Sequence, residues 1–251
     1  MIPSTFVISL NEDLGKQEEA LVRAGIYPIL FKGVDGRKGE DAQYSDRLTT
    51  FCKHFCPGSM KGCGLSHILL SQHIYSLGLP LALVLEDDAY PIEKFDINRE
   101  IDKVLTEVPD DWEIIKLHCD PWCKDGSNQN GSVKNGSAAA YLINTRGLEK
   151  LRNFKLLTHI DGQKNFTLNV YKSKVNLFWA DEKTSTNRKD DSYYLSPVLD
   201  YLFPMTSGEK TYDHILSFKT IRIPFTNIEL TNFQIFLCLL MLICLYLYSC
   251  L

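Results

Sequence analysis

The chain has 251 residues, 45% of them hydrophobic and 23% charged, enough to bury one sizeable core and to carry one short appended segment. Its formal net charge is -4, from 27 Lys and Arg against 31 Asp and Glu, so it lacks the basic field that recruits nucleic-acid phosphates. Nucleic acid is therefore excluded as an expected partner, and a single α/β domain over residues 1–225 with an anchor over 226–251 is the expected organisation.

Taken in chain order, "TFVISL" (Thr5 to Leu10) reads as a buried strand, and "DLGKQEEALVRAG" as an amphipathic helix closed by Gly25. "YPILFKGVDG" returns as a strand, and strand, helix, strand with short turns is the unit of parallel sheets. From Asp35 to Met60 polar residues, Gly and scattered aromatics predict a long loop with short helical pieces, placed over or near a site. "GCGLSHILLSQHIYSLGLP" has helical apolar spacing and stops at Gly78 and Pro80, feeding into "LALVL". Five apolar residues without alternation predict a strand covered on both faces.

Downstream, "INREIDKVLTEV" reads as a helix, "WEIIKL" as a strand and "CDPWCKDGSNQNGSVKNGS" as a loop. "AAAYLINT" follows as a strand and "RGLEKLRNF" as its helix; after Asp161 the pattern weakens, with "KVNLFWA" as the last strand and "DEKTSTNRKDDSYYLSP" as an exposed polar tail.

The C-terminus is a different material. "FQIFLCLLMLICLYLYSCL" (Phe233 to Leu251) has no charge, and roughly 19 residues at 1.5 Å rise just cross a hydrocarbon layer about 30 Å thick. A single-pass membrane helix is the expectation; a buried core helix, the alternative, normally shows a fuller polar stripe than Gln234 and Ser249 provide. The N-terminus lacks the basic start and small-residue cleavage site of a signal peptide, and Lys210, Lys219 and Arg222 lie on the body side. Both features place the body in the cytosol by default; a lumenal body is the alternative, and it alone would make Asn130, Asn135 and Asn165 glycosylation acceptors.

Five cysteines lie in the body: Cys52, Cys56, Cys63, Cys119 and Cys123. An odd number does not make a closed disulfide set, and free thiols of a reducing compartment are the expectation. "CKHFC" and "CDPWC", beside His54 and His118, could alternatively be read as a zinc site at the edge of the usual ligand spacing.

The strand "LALVL" runs directly into Glu86, Asp87 and Asp88. Like charges at a strand end need compensation, and carboxylates are hard ligands suited to Mn²⁺ or Mg²⁺, which share coordination with substrate phosphate. If the strand continued, Glu86 and Asp88 would face one way and Asp87 the other. An acid-x-acid pair of this kind suits a nucleotide diphosphate, one carboxylate holding the metal and the other a ribose hydroxyl or metal-bound water. Solvated acids at a loop start are the bland alternative.

"GCGLSH" (Gly62 to His67), followed at a helix length by "LGLPLALVLEDDAYP", resembles the glycosyltransferase family 25 pattern, whose members include lipopolysaccharide and procollagen galactosyltransferases. "FVISL", "GVDG", "IIKL", "AAAYLINTRGLEKL" and "HIDGQ" resemble its further segments in the same order, and the likeness thins after Asp161. The resemblance implies a GT-A-like α/β fold with a mostly parallel central sheet, a UDP-hexose donor (galactose or glucose), Mn²⁺, and inversion at the anomeric carbon. It also implies a saccharide or hydroxylated protein as acceptor. Carried onto these residues, Asp88 and Glu86 would hold the metal, and Asp161 or Asp87 would act as base. Glu86, His67, Gly62, Gly64 and Ser66 would lie on the donor side.

Each of these positions also has a plainer reading. His67 serves equally as a core histidine that fixes the acid loop, and the two glycines as backbone devices. Trp112 and Trp179 read as core, whereas Trp122, with Asp120 in the polar loop, reads as an acceptor contact. The "NEDLGKQ" stretch departs from the family's basic residue after the first strand. Two rivals stand beside the transferase: a membrane-anchored binding protein that kept the fold without chemistry, and a receiver-like signalling domain in which Asp120 and Thr145 would be drafted.

Overall fold

A computed structural model describes residues 3–118, 138–181, 219–222, 229–231, 238–243 and 245–246. In chain order, β1 is Ser4–Ser9, α1 Lys16–Arg23, β2 Pro28–Lys32, α2 Thr50–Phe55, α3 Gly58–Ser76, β3 Leu81–Glu86 and β4 Ala89–Pro91. Then come α4 Ile97–Glu107, β5 Ile114–Lys116, β6 Ala140–Asn144, α5 Thr145–Leu151, α6 Ile160–Thr167, β7 Val170–Lys172 and β8 Phe178–Ala180. Two 3-10 segments, Gly36–Lys38 and Glu40–Arg47, fill the stretch read as a loop with helical pieces.

Six strands form one sheet in the order β2-β1-β3-β6-β5-β7. The β1–β2, β1–β3 and β5–β7 pairs are parallel, and only β6 runs against its neighbours β3 and β5. Strand alternation feeds two separate cores. Phe6, Ile8, Val84 and Ile114 pack with Leu65, Ile68 and Leu148 on one face. Val7, Leu83, Leu85 and Ile115 pack with Leu21, Ile101 and Val104 on the other. Both faces of β3 are thus covered, the physical reason for its unbroken apolar run.

Two segments differ from expectation. "KVNLFWA" does not join the sheet: β8 pairs antiparallel with β4 as a separate two-stranded ribbon. The weakly patterned stretch after Asp161 folds as α6 and the edge strand β7. Helix α3 begins at Gly58, four residues ahead of the "GCGLSH" segment, because backbones meet there. A Cβ on Gly62 would lie 2.4 Å from the Val34 carbonyl oxygen, and one on Gly64 would lie 2.5 Å from the buried Leu156 side chain.

The chain divides into two compact units, Met1–Thr186 and Asn187–Leu251. In the second unit β9 (Lys219–Arg222) and β10 (Glu229–Thr231) pair antiparallel. Of the expected span, residues 238–243 and 245–246 are described; they are helical, and Leu239, Met241, Leu242 and Leu245 are exposed. Among the described residues no helix is long and apolar enough to cross a membrane. The polar tail over 182–198 lies outside the described residues.

Gly62→Ala is expected to destabilise the fold by about 1–3 kcal/mol, because a backbone carbonyl must move to admit the methyl group. Gly162→Ala, which meets nothing within 4 Å on α6, is expected to be neutral or stabilising by up to about 1 kcal/mol. Thermal or urea unfolding of the pair checks this; equal losses would contradict it.

Candidate active site

The carboxyl ends of β1, β3 and β5 lie at one edge of the sheet and bring Ser9, Glu86 and Lys116 there. Because β6 runs the other way, its amino end reaches the same edge, and Tyr141 sits between Val84 and Lys116 in register. Open α/β sheets bind their ligands at this edge.

Strand β3 ends at Glu86, and Asp87 and Asp88 form the turn into β4. The three acids therefore diverge by turn geometry rather than by strand alternation. Glu86 turns to α3, where His67 Nε2 lies 3.0 Å from its Oε1 and Cys63 Sγ lies 3.9 Å away. Asp87 turns to β1, where the Ser9 hydroxyl donates to it at 2.7 Å. Asp88 stays in the fields of Glu86 and Asp87, with His118 on its other side. The backbone of the turn is braced independently. Buried Gln17 on α1 donates to the carbonyls of Glu86 and Ala89, both at 2.7 Å, and the Asp181 amide donates to the Asp88 carbonyl.

His67 is 1% exposed, and burial with the nearby Lys164 holds its pKa well below the usual imidazole value, so it is neutral. Burial, followed by the fields of Glu86 and Asp161, raises the Tyr141 phenol well above its usual value, so it keeps its proton. With Glu86 ionised, one tautomer satisfies both contacts: the Tyr141 hydroxyl donates to Nδ1 at 2.9 Å, and Nε2–H donates to Glu86. His67 is thus the histidine that fixes an acid of the turn.

Asp161 joins this group from the first turn of α6. His159 Nδ1 lies 3.3 Å from its Oδ2, and Lys164 Nζ, one turn on, lies 3.8 Å from its Oδ1. Lys164 is 1% exposed and also lies over the Tyr141 ring at 4.2 Å. Burial alone would raise the Asp161 pKa, but His159, Lys164, Lys116 and His67 outweigh it, and the carboxyl ends below the usual range. The opposite holds at the turn. Burial and then Asp161 push Glu86 up to about 7, and burial with Glu86 and Asp87 pushes Asp88 up to about 8.

Asp88 Oδ1, Asp161 Oδ1 and Lys164 Nζ are all buried without a hydrogen-bond partner. Each such atom costs on the order of 1–3 kcal/mol if left so. An unpartnered carboxylate oxygen beside a second acid is the kind of group that a hard cation satisfies. Cys63, His67 and Glu86 also bring donor atoms within 4.8 Å of one another, a softer set of S, N and O.

Several expected positions do other work. Gly62 and Gly64 pack α3 against the Val34 loop and Leu156, where a Cβ would collide. The Ser66 hydroxyl donates to the Gly62 carbonyl and accepts from the Val34 amide, both within α3's own packing. Trp112 packs at the edge of the second core, whereas Trp179, read as core, is 46% exposed and stacked on Tyr90. Cys52 and Cys56 are buried in the first core, and among the described residues neither belongs to a group that could hold a metal. Asn165 is 3% exposed on α6, which removes it as a glycosylation acceptor in the folded chain. Trp122, Asp120, Cys119, Cys123, Asn130 and Asn135 lie outside the described residues.

Sequence reasoning missed Gln17, Tyr141, Lys116 and Lys164. A lysine at an inward position of "EIIKL", and another three residues after Asp161, were the available signals.

The family described as "Glycosyltransferase family 25 (LPS biosynthesis protein)" matches residues 2–197. The chain belongs to glycosyltransferase family 25. As a member of that family it is a glycosyltransferase, which sets the receiver-like reading aside. No curated protein matches it in sequence. Among solved structures it is similar to a protein from STIV (14% identity, TM-score 0.42, 72% of this chain and 84% of that one). It is also similar to a glycosyltransferase involved in glycosylating the major capsid of PBCV-1 (12%, 0.36, 83% and 79%). A third is a Drosophila beta-1,4-galactosyltransferase 7 mutant in complex with manganese, UDP-Gal and xylobiose (10%, 0.38, 86% and 84%).

Raised carboxyl pKa values mean that the folded family member holds protons the unfolded chain releases. Their contribution to stability is complete below about pH 4 and is lost as pH rises toward the folded values, by at most about 1.4 kcal/mol per pH unit per group. Metal-free melting temperatures should therefore fall between pH 5 and pH 8 as Glu86 and Asp88 ionise. Asp88→Asn should flatten that fall, and an unchanged slope would contradict the assignment.

Proposed function

We propose that this glycosyltransferase moves a hexose, galactose or glucose, from a UDP-sugar to a hydroxyl of a glycan, lipid-linked saccharide or protein, with inversion and with Mn²⁺ or Mg²⁺. The fold in this reading is GT-A-like. The observation that carries the proposal is the buried Asp88 Oδ1, which has no hydrogen-bond partner, two residues from Glu86 at the carboxyl edge of the sheet, with the field of Asp161 acting on Glu86. Asp88 and Glu86 would hold the metal, which when bound would offset the charge of the departing diphosphate.

The chain's own residues supply the rest. His67 and Tyr141 hold Glu86 in place, and Gln17 holds the turn, so the acids are positioned before any ligand arrives. Asp161 is the acid kept ionised by its cationic neighbours, the state a general base requires. Its depressed pKa makes it a weak base, so proton transfer from the acceptor hydroxyl to its carboxylate falls late, when bonding to the anomeric carbon is well advanced. Asp87, tied to Ser9, is the second candidate for that proton. Lys164 and Lys116 balance the charge of the cluster.

We also propose that residues 233–251 touch a bilayer with the body in the cytosol, supported by the exposed apolar residues Leu239 to Ile243, Leu245 and Tyr246. Proteolysis of sealed vesicles from the outside should remove a cytosolic body; full protection would contradict this.

A donor screen tests the central reading. UDP-galactose or UDP-glucose should be turned over with Mn²⁺ and not with chelator. Asp161→Asn should lower kcat by about 10²–10⁴ while UDP binding persists. Turnover unaffected by chelator, or a folded Asp161→Asn enzyme at full rate, would contradict it.

A further inference from the structure

The ribbon of β4 and β8 carries an exposed feature that the transfer chemistry does not use. Ala89 and Phe178 pack inward into the second core and Pro91 is buried, so by strand alternation Tyr90 and Trp179 occupy the outer face. The two are register partners, and their rings stack at 5.0 Å with an interplanar angle of 21°. A stacked pair with its tryptophan 46% exposed leaves a flat apolar surface open to solvent.

Its place is fixed by the acid turn. Tyr90 follows Asp88 by two residues, about 7 Å along an extended strand, and the Asp181 amide ties the far strand back to the Asp88 carbonyl. Ala89 and Ala180 are register partners, so Asp88 and Asp181 flank the ribbon at the same end. Flat aromatic carbon next to acidic residues suits a ring with an apolar C–H face and hydroxyls at its rim, the face lying on the aromatic carbon and the hydroxyls donating to the carboxylates.

We propose that Tyr90 and Trp179 form the platform on which a pyranose ring of the acceptor stacks. This rests on the transferase reading above. Acceptor rather than donor hexose is favoured because a donor sugar would hang from a diphosphate held at the buried acids, whereas the platform is open to solvent at Trp179.

Saturation-transfer NMR with methyl β-galactoside, glucoside and xyloside, each up to about 50 mM to reach millimolar or weaker affinities, provides the test. Transfer to ring C–H protons is expected in the wild type. It should weaken about five- to ten-fold in Trp179→Ala and in Tyr90→Leu, and recover in Trp179→Phe. It should also persist when the protein is saturated with UDP-galactose and Mn²⁺. No transfer from any of the three pyranosides, or equal transfer in Trp179→Ala, would overturn the platform. Displacement by UDP-galactose but not by UDP would assign it to the donor hexose and overturn the acceptor assignment. Calorimetry with UDP and Mn²⁺ on the wild type reports separately on the donor reading.

Discussion

Three carboxylates in a row at the end of a buried strand repel one another, and the architecture around them is organised to hold them in spite of that. Strand β3 delivers the acids to the sheet edge, but it does not orient them. Orientation comes from partners on three other elements: Ser9 of β1 for Asp87, His67 of α3 for Glu86, and Gln17 of α1 for the turn's own carbonyls. Each partner draws one acid or one stretch of backbone in a different direction. The group stays spread, with Asp88 left unsatisfied in the middle. Glu86 and Asp88 held near neutral pKa values are the electrostatic signature of a site short of positive charge.

The reversed strand β6 explains how a tyrosine comes to serve this edge. Were it parallel, Tyr141 would lie at the opposite end of the sheet. Running antiparallel, it sits beneath Lys164 and donates a hydrogen bond to the histidine that steadies Glu86. Helix α6 closes the arrangement from the other side, with Asp161 and Lys164 one turn apart and both facing the acids. An acid held ionised stands here next to acids that resist ionisation, and in the function proposed above the first would accept a proton while the others would hold a cation.

Much of this was legible in the amino-acid sequence, and the limits are physical. The apolar run of β3 and the period of α4 depend on local burial, so pattern reading places them. The positions of Glu86 and Asp161 follow from order along the chain and from the family likeness. Strand direction leaves no local trace in "AYLIN", which is why the antiparallel β6 and the role of Tyr141 were invisible. Gly62 and Gly64 were ambiguous in the pattern, because a ligand and another backbone ask the same thing of a glycine, and only the fold shows the backbone that approaches them. Lys116 and Lys164 were hidden for a related reason, since a lysine is usually solvated and only burial beside an acid marks it out.

The central claim is that the acid turn is a cation site completed by a sugar nucleotide's diphosphate. Electron paramagnetic resonance of Mn²⁺ titrated with the protein in the presence of UDP measures this directly. One tightly held ion per chain is expected, with affinity falling at least about 100-fold when a ligand carboxylate is neutralised in Asp88→Asn. Equal Mn²⁺ affinity in the two folded proteins would contradict the account.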